Sequence, residues 1–283
     1  MPAPTRLPIR PPKPRYTART SALQRLLLAC TSLLLVGSAQ AHQIWFEPEG
    51  QHLTFRYGEL DVNMHEVSPG GLDRFGQLTA TWQTSAGDRP LALSKRTDRF
   101  TVPAVAGPGE SFVAIDLSYP MFDTTREGKP LRTFWVPATR WVSDFSARQP
   151  TLPLDIVPTG VVKGTTVQFR IVFKGEPLAG VKLSLVVPSG WTRQATSDIN
   201  GLFSVPLPWR GTYVLGTYYV DEVEGQRQGE QGSEPYQLQG YNTALSFRQV
   251  RGAAPFPVTD KTLPASVLAA LAKAKAAAAA ASK

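Results

Sequence analysis

Short runs in which apolar and polar residues alternate fill this chain from residue 42 onward. That period of two is the mark of a strand with one buried face. In residues 52–57, Leu53, Phe55 and Tyr57 share one face, and His52, Thr54 and Arg56 share the other. Residues 42–47 and 52–57 read as a hairpin around Pro48-Glu49-Gly50. This places His52 opposite Glu47. Further strands are expected over 78–83, 112–117 and 132–136. The segment Gln149-Pro150-Thr151-Leu152-Pro153 then interrupts the pattern and predicts a domain boundary near 150. Beyond it, strands are expected over 154–157, 166–173, 181–187, 201–206, 211–219 and 244–248, separated by Gly, Pro and Asn-Gly turns. Such closely spaced short strands predict a small β-sandwich. Residues 221–240 are rich in Glu, Gln and Gly and read as a long polar hairpin loop. From Pro264 the chain is alanine-rich, with Val267, Leu268 and Leu271 as a weak apolar stripe, and reads as a frayed helix or disordered tail.

The first 41 residues break this pattern. Six basic and no acidic residues precede or flank an apolar run from Leu26 to Gly37, and Ala39-Gln40-Ala41 follows. This is the layout of a cleaved secretory signal. The apolar run of about a dozen residues falls short of the roughly 20 that cross a bilayer as a helix. A lipid-anchored start at Cys30 is disfavoured, because only Leu26 to Ala29 precede it as an apolar stretch. Cleavage after Ala41 changes the charge from +8 to 8 − 6 = +2 and removes the single cysteine. A near-neutral mature chain with no basic stripe argues against a nucleic-acid partner. A cysteine-free exported protein suits a periplasm, and its stability must come from core burial.

Several segments resemble a periplasmic family linked to nickel and cobalt uptake, many of whose members are known only as a domain of unknown function. They are AHQIWFEPEG from Ala41, LPLDIVP from Leu152, VFKGEPLAGVKLSLVVPSGW from Val172, TSDINGLFSVPLPWRGTYVLGTYYVDEVEG from Thr196, and YNTALSF from Tyr241. The resemblance implies an all-β protein of two tandem β-sandwich domains: a signal peptide (1–41), an N-terminal sandwich (42–150), a transthyretin-like sandwich (151–250) and the tail (251–283). It further implies ion transport as the setting, with an inner-membrane metal importer as partner. Where some members carry a histidine before the acidic segment, this chain has Tyr218 and Tyr219. A ligand from the second domain would then have to be Asp221, Glu222 or Glu224.

All three histidines, His42, His52 and His65, lie near the start of the mature chain. Cleavage after Ala41 gives His42 a free α-amine beside its imidazole. Two such nitrogens chelate Ni(II), Co(II), Cu(II) or Zn(II) rather than Ca(II) or Mg(II). An imidazole and an α-amine shed their protons near neutrality, so binding should weaken in acid. His65, in the irregular stretch from Gly58 to Gly71, is the expected second imidazole, with Asp61 or Glu66 as an oxygen ligand. Met64 would favour Cu(I) if it joined them. His52 should stand five residues along the strand from His42's level, roughly 16 Å at about 3.3 Å per residue, too far to share an ion.

Tryptophans 45, 82, 135, 141, 191 and 209 could form a sugar-stacking face but fit strand cores better. Asp198-Ile199-Asn200-Gly201 reads as a turn, since the remaining positions of a calcium loop are missing. No Gly-x-Ser-x-Gly is present, and no histidine follows residue 65. The expected function is a non-enzymatic periplasmic accessory that binds nickel or cobalt for uptake. Two other readings remain: a copper carrier or copper oxygenase built on the N-terminal histidine, and a structural or adhesive tandem sandwich without metal.

Overall fold

One strand supplies side chains to two cores. In Lys129–Val142, the odd-numbered Trp135 and Trp141 enter one apolar cluster, while the even-numbered Phe134, Val136 and Val142 enter another. This follows from strand pleating, which sends successive side chains to opposite faces. It requires both faces of the sheet to be covered. The structure is a computed structural model that describes residues 42–50, 52–229 and 232–281. The signal segment, Cys30 and the cleavage site at Ala41 lie outside the described residues.

The double-faced sheet has nine strands. Across it run Thr192–Thr196, Lys182–Val186, Gly211–Asp221, Leu238–Gln249, Lys129–Val142, Ser111–Ile115, Thr79–Thr84 and Gly87–Pro90, and Phe122–Arg126 pairs the far end of the fifth. One pairing is parallel: Lys129–Val142 lies against Leu238–Gln249, from Thr133↔Leu238 to Val142↔Phe247. On one face packs a sheet built from β1 (Gln43–Glu49), β2 (His52–Glu59), β3 (Met64–His65), Ser94–Lys95 and Phe100–Val102. Its Ile44, Phe46, Phe55 and Tyr57 meet Phe112, Trp135 and Trp141. On the other face packs a sheet of Leu154–Lys163, Thr166–Phe173, Glu176–Pro177 and Leu202–Pro206. Here Phe169 and Ile171 meet Leu215, Leu245 and Phe247.

The all-β expectation holds, and most strands lie where alternation placed them. The relation between the halves differs from a tandem. Strands from either side of residue 150 join one sheet, so the two sandwiches share their middle layer. Residues 222–237 connect the antiparallel strands Gly211–Asp221 and Leu238–Gln249, forming the hairpin loop expected over 221–240. They contain paired strands Gly225–Gly229 and Gly232–Tyr236. Arg227 anchors this hairpin by donating to the Tyr119 carbonyl at 2.6 Å and lying over the Phe134 ring. The tail is helical over Ala265–Ala281, but residues before the helix are bound to the body. Ala253 bridges Trp209, and Thr262 bridges Met64.

A buried ion pair ties the boundary segment to the shared sheet. Arg140 and Asp155 are 1% and 0% exposed. The Arg140 guanidinium donates to both Asp155 oxygens, at 3.0 and 2.6 Å. It also donates to Gln83 at 2.7 Å and Thr151 at 2.9 Å. Asp155 accepts the backbone N–H groups of Thr151 and Leu152 as well. Breaking such a pair strands a charge without water. Asp155→Ala should therefore lower the unfolding free energy by about 3–5 kcal/mol in urea denaturation. The double variant Arg140→Leu/Asp155→Leu should lose less than that single one. A loss below about 1 kcal/mol for Asp155→Ala would remove this pair as the anchor.

Candidate functional site

The site grows from the register of three short strands. β1 pairs β2 from Gln43↔Gly58 to Glu49↔His52. β3 then returns along β2, with Gly58↔His65 and Glu59↔Met64. The Glu66 N–H donates to the Tyr57 carbonyl at 2.9 Å, which extends the ladder by one step. Gly58 permits this approach. Its φ is +150°, and a Cβ there would stand 2.1 Å from the Met64 carbonyl oxygen.

Alternation then sorts the side chains. One step beyond the β1–β2 ladder, His42 lies beside Glu59, and its Nδ1 stands 3.5 Å from Glu59 Oε1. Its Nε2 lies 2.8 Å from Glu66 Oε1. A carboxylate offers only lone pairs, so Nε2 carries the proton and donates it to Glu66. Nδ1 faces Glu59. The imidazole is one-third exposed. Its ring rests on Tyr57 at 5.1 Å between centroids. Behind it the Tyr57 and Tyr119 hydroxyls are 2.9 Å apart, and Arg74 donates to Tyr119 at 3.4 Å. Burial, reinforced by Tyr119, pushes the Tyr57 phenol up, so Tyr57 stays neutral. The hydrogen bond to Tyr119 pushes the Arg74 guanidinium up.

Of the residues expected in the site, His42 and Glu66 come together, and His65 and Asp61 do not join them. His65 follows its neighbour's opposite direction along the strand, so it faces away from Glu66. It is 3% exposed and packs edge-on against Trp45 at 5.5 Å. Its Nε2 donates to Asn63 Oδ1 at 3.0 Å, and its Nδ1 is buried without a partner. Asp61 has its carbonyl oxygen against Gly190 and one buried, unpartnered side-chain oxygen. Met64 is buried beneath Thr262. His52 pairs Glu49, not Glu47, because the turn is tighter than expected. It is therefore seven residues from Glu59 along β2, roughly 23 Å at about 3.3 Å per residue. Of the second-domain acids, Asp221 pairs Lys174 at 2.7 Å and Glu222 pairs Arg126 at 2.6 Å. Trp45, Trp135 and Trp141 are core residues. Asp198 closes a turn by accepting the N–H groups of Asn200 and Leu202.

Glu59 is the residue that sequence reasoning missed. Its signal was the register, since a two-residue turn puts position 59 beside position 42. Among the described residues, no three His, Cys, Asp or Glu side chains group to hold a metal ion. The reason is geometric. Glu59 and Glu66 flank different nitrogens of one ring, so an ion bound at Nδ1 reaches only Glu59. Among the described residues, no helix is long and apolar enough to cross a membrane.

Residues 134–221 match a family model described as "Domain of unknown function (DUF4198)". No curated protein matches the chain.

Burial gives His65 a defined pH signature. Desolvation pushes its imidazole down to about 4 from an ordinary value of 6.5. The folded state therefore resists protonation that the unfolded chain accepts. The stability His65 allows is complete above about pH 6.5 and is lost as pH falls toward 4, by about 2–3 kcal/mol. Urea denaturation across this range should show that slope, and His65→Gln should flatten it. An equal slope in both proteins would refute the assignment.

Proposed function

We propose that this protein binds a divalent transition metal, nickel or cobalt, in the periplasm as a non-enzymatic accessory to its uptake. What supports this reading is His42 held between two carboxylates, with its Nδ1 facing Glu59. Export and cleavage after Ala41, expected from the sequence, would add the α-amine of the same residue. The cargo ion would then take the amine, Nδ1 and a Glu59 oxygen. This is a mixed N/O set of borderline softness, suited to first-row divalent metals. Ligands bonded to one ion at about 2.0–2.2 Å stand roughly 3 Å apart, close to the 3.5 Å between Nδ1 and Glu59 Oε1. Glu66 would act through the ring. Its hold on Nε2–H fixes the tautomer and raises the basicity of Nδ1, as outer carboxylates do for metal-bound histidines.

Three donors from the chain leave the rest of the ion's coordination to water or a partner. That suits a protein which receives cargo and passes it on, with an inner-membrane importer as the proposed recipient. Relative to the sequence expectation, Glu59 replaces His65 and Asp61 in the ligand set.

Calorimetric titration of Ni(II), Co(II), Cu(II) and Zn(II) tests the reading, using exported protein whose first residue is verified by mass. One-to-one binding is expected, and a version beginning Met-His42 should lose it. Glu66→Ala should weaken binding about 10–100-fold. Glu59→Ala should weaken it further, while Asp61→Asn should leave it unchanged. No binding by the verified His42 start, or binding indifferent to Glu59 and to the added methionine, would overturn the proposal.

A further inference from the structure

Gly58, Gly70 and Gly71 lie around β3 and the turn that follows it, and the backbone explains the first two. Gly58 and Gly70 have φ of +150° and +151°, where glycine is favoured. A Cβ at either would also meet a backbone oxygen, that of Met64 or of Val67. Gly71 is different. It opens the short 3₁₀ turn Gly71–Arg74, and its φ lies outside the left-handed region. The three atoms nearest to a Cβ there would all belong to Glu66: its Oε2, Cδ and Cγ, each closer than 3.0 Å. Nothing in the Gly71 backbone calls for glycine, and the Glu66 side chain does.

The turn cannot step aside for a larger residue. Leu72 is wholly buried in the apolar cluster that holds Tyr57 and Phe75. Its N–H donates to the Val67 carbonyl at 3.3 Å. Asp73 accepts from the Gly70 N–H at 2.8 Å and from the Ser68 hydroxyl at 2.7 Å. Glu66 is the yielding partner. Among the described residues its carboxylate accepts one side-chain hydrogen bond, from His42 Nε2 to Oε1 at 2.8 Å. A methyl group at position 71 would therefore displace the carboxylate and leave the backbone in place.

We infer that Gly71 is a positioning residue for the His42 site, kept free of a side chain so that the Glu66 carboxylate is seated against Nε2. Its importance for metal binding rests on the function proposed above, whereas the seat itself belongs to the metal-free protein. With the His42 ring on one side and Gly71 on the other, Glu66 has little room to swing away. The ring is then oriented before an ion arrives, and binding has less ordering left to impose. Gly71 acts only through Glu66, so the two residues form one unit.

Gly71→Ala, Glu66→Ala and the double variant test this in the exported protein. Alanine suits the Gly71 backbone, so the urea midpoint of Gly71→Ala should equal or exceed that of the unaltered protein. In metal-free protein above neutrality, where an imidazole is uncharged, NMR of the His42 ring should show an Nε2–H signal protected from solvent exchange by Glu66. Both single variants should lose it. In calorimetry with Ni(II) alone, Gly71→Ala should weaken binding about 10–100-fold, as Glu66→Ala does, and the double variant should lose no more. A lowered midpoint would mean that the backbone needs the glycine. An Nε2–H signal retained in Gly71→Ala, or absent from the unaltered protein, would mean that Gly71 does not seat Glu66 on the ring. Losses that add in the double variant would mean that Gly71 acts by another route. Each of these overturns the inference. If the protein binds no nickel at all, the proposed function falls, and the metal-free signal still decides the role of Gly71.

Discussion

A guanidinium and a carboxylate, both shut off from water, decide how the two halves of this protein meet. Arg140 projects from the middle layer, and Asp155 begins the strand that covers that layer's second face. Neither charge could stay buried alone, since unpaired ions in a protein interior are strongly disfavoured. The Gln149–Pro153 segment is therefore drawn tight against the sheet instead of forming a loose linker. Asp155 holds the segment's own N–H groups at Thr151 and Leu152, so one carboxylate closes both the turn and the ion pair. The family match begins at Phe134 and so includes both residues.

With the turn fixed, the shared sheet follows. Leu154–Lys163 and Thr166–Phe173 lie on one face of the middle layer, and Leu238–Gln249 inserts beside Lys129–Val142 in the layer itself. The N-terminal sheet then has a single open face on which to pack. There Trp45 meets Val186, Val214 and Ala244 from the second half, and Phe46 donates its N–H to Ser246. The strands that carry His42 are therefore seated partly on residues far later in the chain. The His42 site therefore depends on a platform built by the C-terminal half.

The fold was legible in the sequence to the extent that it is local. Alternation and turn chemistry mark Thr166–Phe173 and Gly211–Asp221 because each strand's pattern is written in its own residues. Pairing between distant strands leaves no such mark. Nothing in Lys129–Val142 names Leu238–Gln249 as its neighbour, although the apolar residues on both its faces imply that both are covered. The strand pairing inside the 221–240 hairpin loop was hidden because it is held by backbone bonds and one anchoring arginine, without an alternating apolar face. In the site, His42 and Glu66 were legible by residue type. Glu59 was not, since its place depends on a two-residue difference in the turn. His65 misled because chemistry alone cannot say which way a side chain faces, and on a strand adjacent positions face apart.

That opposition across β3 gives the site its character. Glu66 turns toward solvent-accessible His42, and His65 turns into the protein, where it is kept neutral. A charged imidazole there would lose its hydration to burial, which is why the neutral form is kept. β3 itself has little of its own to hold it. It is two residues long, with β2 on one side and the Thr262 contact on the other. Its position rests on Gly58, which lets the backbones close, and on the aromatic contact between His65 and Trp45. These same contacts orient Glu66 and, through it, the His42 ring. The buried histidine thus serves the exposed one by fixing the strand from which Glu66 reaches it.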